Sequence, residues 1–330
     1  MPCPRVVSIV ALSAALSQTA AQPGPPAASL RAPFEFHSSV WVNLHHFLYL
    51  TARGRKGLDA SRSGVVAALA DTVGFGALSS DQRGAWDAAL AYYGRALADR
   101  DILFDSSMVR VTNELARIDD APSLGGARLD SALLATLERA MPVYRALWWA
   151  RHDASNRRWI VAATAMVAEH GDSAVQRESR AFRTPWSAKP VRVDVAAYTN
   201  WAGAYTTEHP SHINISSTNT GNQGSYVFET LFHEVLHTME DSVFAALRSA
   251  FRDSGKRSFR DPTHPFIFYT AGEVTRRAYP DHVPYAERFG LWAGNADFVR
   301  ALPLLRAHWQ PYLDGKITLE ESMRRFAGAW

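Results

Sequence analysis

Apolar residues recur at spacings of three and four from Phe34 to about Phe182, the periodicity of helices that bury one stripe. Asp59 to Leu69, Ser80 to Ala98 and Leu129 to Ala150 show it most clearly. Asp81 and Asp130 stand near the start of two of these segments, where negative charge suits the helix dipole. Pro185 and Pro190 then interrupt the pattern, and Val191 to Tyr198 alternates apolar with polar, as in a half-buried strand. His212-Ile213-Asn214-Ile215-Ser216 alternates again, and Thr218 to Gly224 is a turn-forming run. The helical period resumes to about Arg252, gives way to a polar loop through Pro262, and returns at Pro265, a favoured first helical position. That helix ends before Pro280, and the remainder to Trp330 again reads as helical. The predicted fold class is α+β, mainly α. A helical N-terminal lobe spans residues 34–185, and residues 186–330 hold a small sheet followed by further helices.

The segment after the turn contains His233-Glu234-Val235-Leu236-His237, an H-E-x-x-H arrangement. Residues four apart on a helix lie one above the other, so both imidazoles reach toward one metal ion. Glu234 is turned by about 100° from His233, which makes it a neighbour of the metal and not a ligand. From there it can take a proton from a polarised water. Phe228, Leu231, Val235, Met239 and Val243 form an apolar stripe beside the motif, so the helix has a face to bury.

A strand, a glycine-bearing turn and a helix carrying these five residues together resemble the zincin metallopeptidases, over roughly residues 190–280. The resemblance implies one catalytic zinc and an edge strand, here His212 to Ser216, that pairs with extended substrate. It makes residues 186–330 the zincin-like catalytic region. The metzincin continuation requires a glycine and a third histidine where this chain has Glu240 and Val243, which excludes that subclass. The gluzincin pattern takes a glutamate from a later helix, and Glu273 in Thr270-Ala271-Gly272-Glu273-Val274-Thr275 is the expected third ligand. Gly272 costs helix stability, by about 1 kcal/mol relative to Ala, and close approach to the metal helix would account for it. No Asn precedes Glu273 and no Asp follows it by four, so the thermolysin-like form of this helix is absent. Arg276 and Arg277 offer Glu273 the competing role of an ion-pair partner. Glu240, Asp241, Asp261, His264 and His282 are the competing ligands, and Asp241 could instead orient an imidazole.

Attack on a carbonyl creates an oxyanion that needs a donor beyond the metal. Tyr269, which shares a helix face with Glu273, is the first choice, ahead of Tyr285, His264 and His282. His37, Trp41 and His45 fall at i, i+4 and i+8 on one expected helical face, where packing is favoured over a role in a substrate cleft. Trp148 and Trp149 read as core. A second metal site in Glu208-His209-Pro210-Ser211-His212 is disfavoured.

Composition adds a compartment and removes some partners. Arg5, the apolar run Val6 to Leu16 and the small residues Thr19-Ala20-Ala21 follow the order of a secretory signal, with cleavage expected after Ala21 and a Pro-rich linker over residues 22–33. The product is expected to be secreted or periplasmic, with no membrane span. Cys3, the only cysteine, falls in that signal, so no disulfide is expected. Net charge is +3, and only four of the 35 basic residues are Lys; no basic run is dense enough for nucleic acid. The expected function is a secreted zinc peptidase acting on peptide or protein substrates. The alternatives are a zinc amidase or deacylase acting on cell-envelope material, and a non-catalytic exported helical binding protein.

Overall fold

The computed structural model describes residues 33–72, 74–208 and 210–330, so the signal and most of the linker expected at the N-terminus lie outside the described residues. The described residues pack as one compact unit. The fold is α+β and mainly helical. Helices α1 (Val40–Arg55), α2 (Ser63–Ala70), α3 (Ser80–Ala96), α4 (Ser106–Ile118) and α5 (Ser131–Tyr144) precede a long helix α6 (Ala150–Phe182). After the sheet come α7 (Tyr226–Leu236), α8 (Asp241–Asp253), α9 (His264–Ala278) and α10 (Tyr285–Arg288). The chain ends in α11 (Ala296–Leu304), α12 (Gln310–Leu313) and α13 (Leu319–Ala329). None of the described helices is long and apolar enough to cross a membrane.

Local chemistry explains several boundaries. Ser79 and Gln82 form a reciprocal capping box at α3, with Asp81 in its first turn, and the Asp130 carboxylate accepts from the Ala132 and Leu133 amides at the start of α5. Two wide π turns, Arg145–Trp149 and Leu305–Trp309, each follow a proline inside a helix, Pro142 and Pro303. Proline has no N–H to continue the ladder, and the widened turn absorbs the lost bond.

Four strands, β1 (Phe34–His37), β2 (Val191–Ala196), β3 (Ala204–Glu208) and β4 (Ser211–Ser216), make one sheet in the order β1-β2-β4-β3. The first three in that order run parallel, and β3 runs antiparallel to β4 with Thr206 opposite Ile213. The strand expected at the edge, residues 212–216, is therefore interior, and the edge beside it is β3. Nothing local distinguishes the two: a hairpin folds the preceding strand back onto β4 and covers it. His37 is likewise on β1 and not on a helix with Trp41 and His45. Ser39 caps α1 by accepting from the Val42 amide, so the helix starts after His37.

Val191, Val193, Val195, Ile213 and Ile215 face a core shared with α6, α7, α9 and the C-terminal helices. Ala197, Tyr198 and Tyr205 pack into a second core among α1–α5, which holds buried Trp148 and, at its margin, Trp149. His45 and His46 are buried there, bonded to the hydroxyls of Tyr93 and Tyr205, so the packing role expected of this segment is the one found. On this side of the sheet Asp194 of β2 is fully buried between Arg192 (2.6 Å) and His212 (2.7 Å), and His212 continues to Asn113 of α4 (2.9 Å). His212 is thus committed to the sheet–helix junction; its neighbour His209 lies outside the described residues.

Candidate metal centre

The apolar stripe of α7 seats that helix against the sheet: Phe228, Leu231, Val235 and Met239 are all buried. His233 then points along the remaining face. His237 sits just past the last residue of α7 but keeps helical torsions (φ −60°, ψ −27°), so the four-residue stacking survives the helix end. The two ring centroids are 5.2 Å apart.

The third imidazole belongs to His264, the first residue of α9. Its ring lies 5.3 Å from that of His233 and 5.1 Å from that of His237. One donor atom from each of His233, His237 and His264 falls within 4.8 Å of the others, close enough to share a metal ion. The His264 and His233 Nε2 atoms are 3.4 Å apart. Burial, reinforced by the neighbouring imidazoles, lowers the pKa of His233, and burial first and His264 second bring His237 down to about 3. Both rings are therefore neutral near pH 7, the form that binds metal. His233 Nδ1 is buried with no hydrogen-bond partner among the described residues. The nitrogens that face one another are the Nε2 atoms, and imidazole nitrogens brought this close on neutral rings fit a donor set made for a cation.

Three contacts hold His264 in place. Its Nδ1 is 3.0 Å from the Asp261 carboxylate, which can fix the ring orientation. Thr263 donates to Glu240 at 2.8 Å, tying the start of α9 to the α7–α8 junction. Phe268, one turn on, stacks on the His264 ring at 4.7 Å and leans on His233 at 4.3 Å.

The competing ligands thus divide by role. Asp261 and Glu240 support the cluster, Asp241 is exposed at the start of α8, and His282 is engaged elsewhere. Its Nε2 is 2.5 Å from the buried Glu229 carboxylate and its Nδ1 2.7 Å from the Ser225 hydroxyl.

Glu273 is not brought to the cluster; it pairs with Arg276. The correction has a geometric cause. Glu273 follows His264 by nine residues and so points about 180° away around the helix. Gly272 does mark a close approach, as expected: a Cβ there would come within 2.7 Å of Pro284 and 3.3 Å of the Glu229 carboxylate. That face, and not the face of Glu273, meets α7. Tyr269, five residues after His264 and about 140° round from it, is also turned away, and its hydroxyl donates to Gln310 at 2.9 Å. Tyr285 is better placed. Its amide donates to Glu229 (2.8 Å), and burial together with the negative charges of Glu229 and Glu234 raises the pKa of its phenol.

Glu234 lies beside the histidines, buried, with one carboxylate oxygen 2.7 Å from the Thr206 hydroxyl on the edge strand β3. Burial pushes this carboxyl up to about 7, against the downward pull of Thr206 and His264. A carboxyl balanced near neutrality is suited to taking and returning a proton. Thr206 and Phe268 carry no signal in the sequence. Phe268 follows His264 by one turn, but that spacing means something only once His264 is known to be a ligand. Compared with known proteins, the chain matches no family model, no curated sequence and no solved structure, so the site stands on its own geometry.

Proposed function

We propose that this chain is an exported zinc-dependent hydrolase, a peptidase by preference, that uses His233, His237 and His264 as ligands and Glu234 as general base. The observation that carries the reading is the convergence of three imidazoles with a carboxylate beside them that is held by the edge strand. A zinc ion with three protein ligands keeps a position for solvent, polarises a carbonyl and lowers the pKa of water. Glu234 then supplies the proton acceptor, and its buried place beside the histidines lets it pass the proton on to a leaving amine. Tyr285 is the phenol nearest to the role of oxyanion donor. β3 is the terminal strand of the sheet, and an extended peptide that added to it as a further strand would have its backbone beside Glu234. Export rests on the order of charged, apolar and small residues at the N-terminus.

A structural zinc would need a fourth protein donor, and the described residues form a three-donor group. The test is hydrolysis by the zinc-loaded protein of a mixed peptide library and, in parallel, of cell-envelope fragments, with and without a chelator. Peptide cleavage abolished by the chelator is expected. Cleavage of envelope amides alone would move the assignment to an amidase, and no metal-dependent hydrolysis of either would end the enzymatic reading.

A further inference from the structure

A cavity of about 520 Å³ opens on the far side of α9 from the histidine cluster, walled by the C-terminal part of α6, by α9 and by residues 312–317. That volume is in the range of small-molecule sites. Three guanidinium groups line it: Arg177, Arg180 and Arg277. Two carboxylates line it as well, but both are already engaged. Glu273 pairs with Arg276, and Asp314 is shared by Arg277 and Lys316. Among the described residues, Arg177 and Arg180 have no carboxylate partner. Arg177 contacts the Ser173 hydroxyl (3.3 Å) and Arg180 the Gln176 carbonyl (3.3 Å). Burial, then the charges of Arg277 and Arg180, lower the pKa of Arg177. Val274, Leu313 and Ile317 add apolar surface to the lining. The Tyr312 hydroxyl donates to the Arg180 and Ala181 carbonyls (3.0 Å each), pinning residues 312–317 to the end of α6.

We infer that this cleft binds an organic anion, with a carboxylate or phosphate head on Arg177 and Arg180 and an apolar body against Val274, Leu313 and Ile317. Guanidinium forks recognise planar oxyanions through paired hydrogen bonds, and an anion relieves the repulsion among the three arginines. The site is separate from the metal centre, because Glu273, at its wall, faces opposite to His264 on α9.

The test is calorimetric titration of the full chain with hexanoate, hexyl phosphate, inorganic phosphate and hexanol, with a chelator present to keep the anions off the histidine cluster. Saturable binding of hexanoate or hexyl phosphate at one per chain, weakened by salt, is expected, and whichever of the two binds more tightly identifies the head group. Hexanol should bind at least about tenfold more weakly, since a neutral head forfeits charge-assisted bonds. Arg177→Ala should weaken binding by about tenfold or more, and Arg177→Lys, which keeps the charge but not the fork, should weaken it less. The melting temperature of each variant shows that it is folded. No saturable binding of either organic anion, equal binding of hexanol, or unchanged affinity in folded Arg177→Ala would overturn the inference. Inorganic phosphate binding as tightly as hexyl phosphate would overturn the apolar half of it.

Discussion

Glu234→Gln is expected to keep its metal and lose hydrolysis by roughly 10²–10⁴-fold, the usual span for removing a positioned general base. The amide fills the volume of the carboxylate and can still accept from the Thr206 hydroxyl, which lies 2.7 Å from the native oxygen. It cannot take a proton. The histidines are untouched, so metal content should stay at the wild-type level. Circular dichroism and metal analysis on the same preparation separate this outcome from misfolding. Because burial pushes the carboxyl upward to about 7, relieving it of charge costs the fold nothing, and the variant should be at least as stable as the wild type. A bound cation would favour the ionised carboxylate, so this comparison of stability belongs to the chelated protein. Full hydrolytic activity in Glu234→Gln would remove this residue from the chemistry.

Asp194→Ala should be the most damaging substitution for the fold outside the metal centre, lowering unfolding free energy by about 3–5 kcal/mol. Asp194 is fully buried, and its removal leaves His212 and Arg192 facing a cavity without their shared acceptor. Arg192 keeps a contact to Asp119 at 3.1 Å, whereas the His212 ring keeps only its contact to Asn113. The same contacts predict a pH dependence. Burial alone would raise the Asp194 carboxyl, but His212 and Arg192 outweigh it and hold the group at about 2, below the ordinary 3.8. A depressed carboxyl contributes stability above its unfolded pKa and loses it as pH falls through the folded one. The stabilisation should therefore be complete above about pH 4 and disappear toward pH 2, on the order of 2–3 kcal/mol. Urea unfolding at stepped pH reads this directly. The difference between wild type and Asp194→Ala should shrink over that window; an unchanged difference would show that the ion pairs are not what stabilises the junction.

The residues that could be read from sequence are those whose role is set within one or two turns of chain. His233, His237 and Glu234 follow from helical spacing, and the start of α9 from Pro265. The starts of α3 and α5 follow from Asp81 and Asp130, whose negative charge suits the helix dipole. What could not be read depends on pairing between distant segments. The hairpin that puts β3 outside β4 uses Thr206 and Thr207, which look like any polar loop until they face Ile213 and His212. Strand β1 has four residues, too few for its alternation to stand out beside the helix that follows. The third ligand is a matter of helix phase. Gly272, Pro284 and Glu229 decide which face of α9 meets α7, and that face carries His264 and Phe268 and turns Glu273 and Tyr269 away. Residue type alone places His264 among the possible ligands; only the packing of α9 on α7 selects it.

Metal content after dialysis against trace zinc, measured on wild type, His264→Ala and Glu273→Ala, tests the three-histidine centre most directly. About one zinc per chain is expected in wild type and in Glu273→Ala, with His264→Ala losing most of it, because a two-histidine remnant cannot complete a tetrahedral site. Full zinc occupancy in His264→Ala, or its loss in Glu273→Ala, would contradict the centre described for this fold.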